Sequence, residues 1–217
     1  MATALTVLLV ILLAYLLGSI PTAVWVGQLF FQVDVREYGS HNAGATNTIR
    51  VLGLGPGLAV FALDVCKGFL ALWLGRMLFF ALLPASPLPP EALGVALGLA
   101  AFLGHVFPLF AHFRGGKGVA TLCGVALALH PGATLVALGL FALVLLTTRY
   151  VSLGSMLATL SYPLALYFLF HVRCPWLLGF GLAIAILVVW THRANIARLL
   201  RGQESRFAPT KHGSQGR

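Results

Sequence analysis

Seven long apolar stretches separated by short polar loops constrain this chain more than any other feature of its sequence. A bilayer core about 30 Å thick is crossed by roughly 20 helical residues, so each stretch predicts one membrane-spanning helix. We therefore expect an all-α integral membrane protein with about seven transmembrane helices. The fourth and fifth stretches are short, and only His130-Pro131-Gly132 separates them, so six or eight spans also fit. The stretches cover residues 3–30, 54–83, 91–110, 116–130, 132–148, 153–171 and 174–192.

The composition excludes a soluble protein and leaves room for one domain only. Of 217 residues, 59% are hydrophobic and 9% are charged, which is too little charge to cover a water-soluble surface. We expect residues 1–217 to form a single polytopic membrane domain, with a flexible basic tail over about 202–217. The 14 Lys and Arg against 5 Asp and Glu would suggest nucleic acid in a soluble protein, but topology explains part of that excess here.

The cations occupy alternate loops, which predicts the orientation in the membrane. Cytoplasmic loops collect Lys and Arg, and the opposite set of loops carries essentially Arg173, with Arg76 near a helix end. The N-terminus is therefore expected outside and the C-terminus in the cytoplasm, although the basic tail could equally rest on anionic lipid. The cation-rich set carries Arg36, Arg50, Arg114, Lys117, Arg149, Arg193, Arg198, Arg201, Arg206, Lys211 and Arg217.

The first cation-rich loop combines small residues with hydrogen-bonding side chains. In the segment 38–50, the small residues let backbone N–H groups converge on an anion, and Arg50 adds charge. The pattern predicts a phosphate cradle, although Gly, Ser and Asn also make ordinary turns. The hydrogen-bonding side chains are those of Ser40, Asn42, Thr46 and Asn47.

The second loop places Gly115-Gly116-Lys117-Gly118 at the start of a helix. Flexible backbone, a cation and the positive end of a helix together favour a bound phosphate. The segment is not a Walker A loop, because the earlier glycine, the following Ser or Thr and the preceding strand are all missing. Nucleotide binding therefore has little support.

The third and fourth loops add hydroxyls, a histidine and an amide. Ser152 and Ser155 follow Arg149 at a helix start, where an ordinary N-cap is the alternative explanation. His192 and Asn195 share one face of an amphipathic helix that continues the last span. They could bind a phosphate and handle a proton, and a solvated helix end is the alternative.

Two ionisable residues, Asp64 and Lys67, lie one turn apart inside the second span. Ionisable residues within a membrane are costly and usually mark a path or a site, although a neutralising structural pair would serve as well. In either case we expect both side chains to face the bundle interior. The cysteines Cys66, Cys123 and Cys174 show no metal-type spacing and are interpreted as small apolar fillers, so neither a metal nor another cofactor is expected.

Together these segments resemble the bacterial membrane acyl-phosphate–glycerol-3-phosphate acyltransferases of the PlsY type. The matching stretches occur in the family's order, are separated by apolar helices and span most of the chain, with His41 as a slight departure. They are 39–47 with Arg50, 64–68, 104–108, 115–121, 152–155, and 192–196 with Arg198 and Leu199.

The resemblance implies transfer of a fatty acyl group from acyl phosphate to the sn-1 hydroxyl of glycerol 3-phosphate, giving lysophosphatidate and phosphate. It also implies a bacterial cytoplasmic (inner) membrane enzyme, working as a monomer among membrane lipid, with its site facing the cytoplasm and a long-chain acyl phosphate as donor. By analogy the catalytic residues are Ser40, Arg50, Lys117, Ser152, His192 and Asn195. The substrate-binding residues are Gly39, Asn42, Gly44, Thr46, Asn47, Asp64, Lys67, His105, Gly115, Gly116, Gly118, Thr121, Ser155 and Arg193.

The sequence lacks the histidine–aspartate motif of soluble glycerolipid acyltransferases. No histidine has an aspartate five residues later, and neither a Gly-x-Ser-x-Gly elbow nor a His-Glu-x-x-His metal site occurs. The base is therefore expected to be His192, a residue without a motif, or a phosphate oxygen of the substrate. A transporter of organic phosphate or lipid is the rival function, but the two halves show none of the symmetry that would favour it. A lipid-binding scaffold would not need the organised Ser, His and Asn residues.

Overall fold

A computed structural model describes residues 2–207 and shows a helical bundle in which no strand occurs among those residues. Two short 3₁₀ helices, Val35–Glu37 and Leu109–Ala111, lie in loops, and the π-helical turn Ala165–Leu169 extends one of the long helices. The α-helices are α1 (Ala2–Gly18), α2 (Thr22–Phe31), α3 (Ala45–Leu52), α4 (Leu54–Leu82), α5 (Pro90–Val106), α6 (Val119–Leu129), α7 (Pro131–Thr148), α8 (Val151–Leu164), α9 (Pro175–Thr191) and α10 (Arg193–Leu200).

Each of the seven apolar stretches contains a helix, but not every helix is a simple span. Four are long and apolar enough to cross a membrane: α4, α5, α7, and α8 with its π-helical turn. Two bent pairs, α1 with α2 at 41° and α9 with α10 at 62°, raise the number to six. The fourth predicted span is shorter than expected, because α6 begins only after Gly118 and ends before Pro131, leaving 11 residues.

The bends have local causes. Pro21 interrupts the first span between α1 and α2, because proline cannot donate a backbone hydrogen bond. In the break, the carbonyl of Ile20 accepts from Thr22 N at 3.0 Å and from Lys67 Nζ at 2.8 Å. The last span does not continue straight into its amphipathic extension as the sequence suggested, since the chain turns at His192, which has non-helical backbone angles.

Glycines bring the helices into close contact. A Cβ atom on Gly68 of α4 would lie 2.1 Å from the carbonyl oxygen of Thr121, and one on Gly124 of α6 would lie 1.9 Å from that of Val65. In a membrane, where lipid is as apolar as the helices, such small residues let backbones approach and gain van der Waals contact. Apolar side chains such as Leu146, 81% exposed, cover the outside of the bundle.

The alternating directions of the helices bring four loops to one end of the bundle. These loops precede α3, α6, α8 and α10, and residues from all four line one cavity. The described part of the tail packs against this end, where the N–H of Phe207 donates to the carbonyl of Arg149 at 2.6 Å. The rest of the tail that was expected to be flexible, 208–217, lies outside the described residues.

Candidate active site

The four loops enclose a polar cavity of about 350 Å³. The N-terminal turns of α3, α6, α8 and α10 all contribute to its wall, through residues such as Ala45, Val119, Ser152 and Asn195. The first turns of four helices, which carry the positive ends of the helix dipoles, therefore border the same space. That arrangement attracts anions, and phosphate groups in particular.

The first loop is held in shape by Asn47. Its side-chain oxygen accepts from Ser40 N at 2.7 Å and Ser40 Oγ at 3.1 Å, while its amide donates to the carbonyls of Val35 and Tyr38 at 2.7 and 3.1 Å. Gly39 adopts a left-handed φ of +63°, and a Cβ there would lie 2.4 Å from the same oxygen. Asn47 therefore positions Ser40, and its own hydrogen bonds are already taken.

The second loop presents Lys117 to the cavity. Lys117 Nζ donates a hydrogen bond to Asn195 Oδ1, which links the loop to α10. Gly118 begins α6 with a left-handed φ of +79°, and a Cβ there would lie 2.4 Å from the ring of Phe102, so the turn requires glycine. The Gly116 N–H donates to the carbonyl of His105 at 3.2 Å, which fixes the preceding part of the loop.

Glu204 lies at the centre of the hydrogen bonds around Asn195. Its carboxylate accepts from Ser152 Oγ at 2.7 Å, Asn195 Nδ2 at 2.6 Å and Arg198 Nε at 2.8 Å. The side chain is 5% exposed. Burial alone would raise the pKa of Glu204, but these three hydrogen bonds lower it below the ordinary value. The residue is therefore a carboxylate that orients the hydroxyl and the amide around the cavity.

Burial also lowers the pKa values of Lys117 and His192, two ionisable residues in the cavity lining. It lowers the pKa of Lys117 to about 8; nearby Glu204 opposes this shift, and the charges of Arg198 and Arg50 add to it. Burial and the charge of Lys117 lower the pKa of His192 to about 4. His192 is therefore neutral at physiological pH. Its Nδ1 lies 2.8 Å from the carbonyl of Val188, which can only accept, so Nδ1 carries the proton and Nε2 has a free lone pair.

A buried polar cluster supports the site from inside the bundle. Asp64 Oδ1 lies 2.7 Å from Lys67 Nζ and accepts from Thr22 Oγ1 at 2.6 Å, and the two charged side chains are 1% and 6% exposed. Both side chains therefore lie in the bundle interior, as expected, and they are paired, as the structural alternative required. His105 Nδ1 lies 3.5 Å from the same carboxylate oxygen and 3.1 Å from Thr121 Oγ1. The cluster joins α2, α4, α5 and α6 beneath the second loop.

All six residues predicted to be catalytic line the cavity, as do nine of the fourteen predicted to bind substrate. The nine are Asn42, Gly44, Thr46, Asn47, Asp64, His105, Gly115, Gly118 and Ser155. The remaining five, Gly39, Lys67, Gly116, Thr121 and Arg193, do not belong to its lining.

These five residues lie elsewhere in the structure. Gly39 and Gly116 shape the loops, and Lys67 and Thr121 belong to the buried cluster. Arg193 is exposed, donates to the carbonyl of Trp190 at 3.1 Å and lies over that indole ring. Its predicted contact with substrate is therefore not supported by its position.

Several lining residues were not predicted to belong to the site, although Arg198 was part of a stretch that matches the family. Glu204 and Arg198 belong to the polar wall, and Phe61 and Phe141 belong to an apolar wall. A carboxylate in a cation-rich segment was the available signal for Glu204. The two phenylalanines lie within spans, where nothing distinguishes them from lipid-facing residues.

An apolar cavity of about 90 Å³ adjoins the polar one. The two cavities share Phe61, Val119, Phe141 and Ser155, so the polar site continues into the space between α6, α7 and α8. Among the residues that the structure describes, no group of three or more His, Cys, Asp or Glu could hold a metal ion. The site thus combines anion-binding groups at a bundle end with an apolar extension.

Comparison with known proteins identifies the family. A family model described as glycerol-3-phosphate acyltransferase matches residues 8–202. The chain belongs to the glycerol-3-phosphate acyltransferase family. A glycerol-3-phosphate acyltransferase of Chlorobium phaeobacteroides (strain BS1) is 40% identical, with 93% of this chain and 96% of that protein covered. One of Fusobacterium nucleatum is 44% identical, with 91% and 96% covered.

Solved structures extend this family assignment to the fold. The crystal structure of PlsY (YgiH), an integral membrane glycerol 3-phosphate acyltransferase, in its glycerol 3-phosphate form is 39% identical, with a TM-score of 0.82 over 93% of this chain and 96% of that one. The lysophosphatidic acid form is 38% identical, with a TM-score of 0.79 over 93% and 95%. This glycerol-3-phosphate acyltransferase family member is therefore a multi-pass membrane protein of the PlsY type.

Proposed function

We propose that this acyltransferase moves a fatty acyl group from acyl phosphate to the sn-1 hydroxyl of glycerol 3-phosphate, forming lysophosphatidate and inorganic phosphate. The observation that carries the proposal is the polar cavity, where four helix N-termini meet Arg50, Lys117 and Arg198. Two carboxylates also line it: Glu204 accepts from three donors, and Asp64 is paired with Lys67. The remaining positive potential suits two phosphate-bearing substrates.

The two substrates can be assigned to different parts of the site. The Gly39–Asn47 loop with Ser40 would hold the acyl-phosphate head, and the acyl chain would enter the adjoining apolar cavity. Glycerol 3-phosphate would then bind near Lys117 and Ser152. A related protein solved in glycerol 3-phosphate and lysophosphatidic acid forms supports this assignment of substrate class.

The reaction itself requires no nucleophile from the protein. The sn-1 oxygen attacks the acyl carbon, the bond between that carbon and the phosphate oxygen breaks, and phosphate leaves with the bonding electrons. Acyl phosphate is a mixed anhydride with a good leaving group, so positioning and stabilisation of the developing charge supply most of the acceleration. The hydroxyl proton passes to Nε2 of His192 or to a phosphate oxygen of glycerol 3-phosphate, and we favour the phosphate.

We further propose that the site faces the cytoplasm of a bacterial inner membrane and that the enzyme works as a monomer. The cavity lies at the bundle end that carries the cation-rich loops, which supports a cytoplasmic position. All the residues given a role in the proposed reaction belong to one chain, which is compatible with a monomer.

The proposal is tested with purified protein, radiolabelled glycerol 3-phosphate and three donors: acyl phosphate, acyl-CoA and acyl carrier protein thioester. We expect lysophosphatidate from acyl phosphate alone. Lys117→Met and Arg50→Ala should each lower kcat/KM at least tenfold, since a lost charge-assisted hydrogen bond costs about 1.5–3 kcal/mol. Product formed only from a thioester would overturn the proposed donor.

The choice of base is tested at His192. General-base catalysis contributes about 10²–10⁴-fold, so His192→Gln should lose activity on that scale if the imidazole takes the proton. A substrate base predicts that His192→Gln keeps substantial turnover, because glutamine still forms hydrogen bonds. Arg193→Gln is the matched control, since the neighbouring Arg193 lies outside the cavity.

A further inference from the structure

A guanidinium outside the polar cavity connects the first two loops. Arg36 forms an ion pair with Asp34, in which Nη2 and Oδ2 are 2.7 Å apart and each side chain is only 16% exposed. Its Nη1 donates to the carbonyl of Ala111 at 3.1 Å and to that of Arg114 at 3.4 Å. The ion pair belongs to the first loop and the two carbonyls belong to the second. The planar, many-donor side chain of arginine is suited to such a double contact.

The first 3₁₀ helix, to which Arg36 belongs, also holds the first loop. The side-chain amide of Asn47 donates to the carbonyl of Val35 at 2.7 Å. The carbonyl of Arg36 lies 3.0 Å from Nδ1 of His41, which lines the polar cavity. This short helix therefore anchors the first loop through its backbone and the second loop through the Arg36 side chain.

The part of the second loop that Arg36 contacts has an unfavourable backbone conformation. His112 and Phe113 lie between the two bound carbonyls and have left-handed φ values of +54° and +58°. Residues with a Cβ rarely adopt this conformation, and for a bulky residue it is an outlier. Such a backbone persists only where surrounding contacts hold it. Arg36 provides two of these contacts, and the loop then continues into Gly115 and Lys117 of the cavity lining.

We propose that Arg36 is a positioning residue that sets the place of Lys117 relative to the loop that carries Ser40. The inference rests on the proposed function, in which these two loops bind the phosphate groups of different substrates. Arg36 itself does not belong to the cavity lining, so it acts on substrate through the second loop. The reaction depends on how closely the two substrates are held, and a displacement of about 1 Å can cost about 10²-fold in rate.

Hydrogen exchange in purified protein tests whether Arg36 fixes the second loop. We expect amide exchange over residues 109–118 of Arg36→Gln to be about tenfold faster than in the wild type, which corresponds to the loss of about one hydrogen bond. Exchange in α4 and α5 should keep its wild-type rate, because the change is local. Asp34→Asn removes the charge that orients the guanidinium and should have a smaller effect of the same kind.

The pH profile of the same variants tests whether the movement reaches Lys117. In Arg36→Gln, kcat/KM for glycerol 3-phosphate should fall about tenfold or more. Its alkaline decline should move upward from about pH 8 by about one pH unit, because a less buried Lys117 regains part of its ordinary pKa. The other charged groups that act on Lys117 keep their charges in this variant; they are Arg50, Arg198 and Glu204.

Two control variants separate position from charge. Arg36→Lys keeps the positive charge, but one ammonium group cannot replace the several nitrogens that bind the carboxylate and the carbonyls, so it should resemble Arg36→Gln. Arg114→Gln removes an exposed cation from the second loop and keeps the backbone carbonyl. It should therefore retain the wild-type exchange rate and pH profile.

Wild-type exchange over 109–118 in folded Arg36→Gln would overturn the inference. Faster exchange with an unmoved alkaline decline would also overturn it, because Arg36 would then be merely structural. A wild-type profile in Arg36→Lys, or an equal shift in Arg114→Gln, would assign the effect to charge and have the same consequence. If Arg36→Gln does not fold, Arg36→Lys and Asp34→Asn decide the matter by the same two measurements.

Failure of the proposed donor gives a different result. Wild-type protein would then form product from acyl-CoA or an acyl carrier protein thioester and none from acyl phosphate. Hydrogen exchange needs no donor, and the pH profile is then measured with the donor that the wild type accepts. Faster exchange together with a shifted profile supports Arg36 in that case as well, and a wild-type result in either measurement refutes its role.

Discussion

At the scale of single residues, the carboxylate of Glu204 connects side chains from two helices. Ser152 comes from the start of α8, whereas Asn195 and Arg198 come from α10. Asn195 also accepts from Lys117, so the connection continues to the loop before α6. Hydrogen bonds to an ionised group are the stronger kind. Loss of this one residue would therefore disturb three walls of the cavity.

We expect Glu204→Ala to lower the apparent unfolding temperature in detergent by roughly 5 °C or more, because the buried Ser152 and Asn195 and the partly exposed Arg198 lose their acceptor. We expect kcat/KM to fall at least tenfold in the same variant. Glu204→Gln keeps an acceptor oxygen but no charge, so its unfolding temperature and its kcat/KM should both lie between those of Glu204→Ala and wild type. Glu37→Ala changes an exposed glutamate in another loop and serves as the control. A Glu204→Ala enzyme with normal stability and activity would contradict this role.

Lys117 predicts a pH dependence. With a pKa lowered to about 8, its ammonium is charged below that pH and neutral above it. In the free enzyme, kcat/KM for glycerol 3-phosphate should therefore decline as the pH rises through about 8. Lys117→Arg remains charged throughout this range, so its profile should lack the alkaline decline. An identical decline in an active Lys117→Arg enzyme would assign it to another group.

Site residues near helix starts could be predicted from the sequence, whereas one that follows a helix end could not. Ser40, Lys117 and Ser152 lie at or near helix starts in cation-rich loops, and loops on the same side of a bundle meet. Glu204 follows the end of α10, and no periodicity marks it as part of the site. Its role became visible only when the turn after Leu200 brought it back to Ser152.

At the scale of helices, the contact between α4 and α6 determines where the loop with Lys117, which precedes α6, lies along the bundle. Gly68 and Gly124 allow the two backbones to touch, and α6 begins directly after Lys117 and Gly118. A methyl group at this contact would push the helices apart. The effect would then reach the cavity through the start of α6.

We expect Gly124→Ala to lower both thermal stability and kcat/KM, since overpacking a tight contact costs about 1–3 kcal/mol. Gly139→Ala on α7 is the matched control, because no atom lies within 4 Å of the added methyl group. That variant should behave as wild type. Unfolding temperatures and initial rates measured side by side decide the matter, and equal values for both variants would exclude the proposed constraint.

The breaks in the helices were harder to predict than the helices themselves. The apolar stretches indicated where helices lie, but the stretch 3–30 reads as continuous although Pro21 divides it. The carbonyl of Ile20 in the resulting break accepts a hydrogen bond from Lys67, which lies in a different helix. Only the folded bundle brings these two residues together.

At the scale of the whole molecule, the cavity and the cation-rich loops lie at the same end. Sequence charge predicted that end to be cytoplasmic, and the helix directions place the linker 84–90 at the opposite end. The short helix α6 shows that the number of apolar stretches does not by itself give the number of helices that cross the membrane. A helix of 11 residues rises only about 16 Å, so its place in the bundle depends on contact with α4.

Orientation is tested with single cysteines in a background without Cys66, Cys123 and Cys174. Glu37→Cys, Arg114→Cys or Gln203→Cys should react with an impermeant thiol reagent only in inside-out membrane vesicles. Ala85→Cys, in the linker at the other end, should react only in right-side-out vesicles. All four positions are exposed. The opposite result at two cavity-end positions would reverse the topology.

The meeting of four helix N-termini gives the enzyme a form of mutational robustness. Backbone N–H groups do not titrate and cannot be deleted by replacing a side chain, so part of the attraction for anions persists in every single variant. The same groups do not distinguish a substrate phosphate from the phosphate that leaves. Inorganic phosphate should therefore compete with substrate even in enzymes that lack Arg50 or Lys117, and fast turnover requires its prompt release.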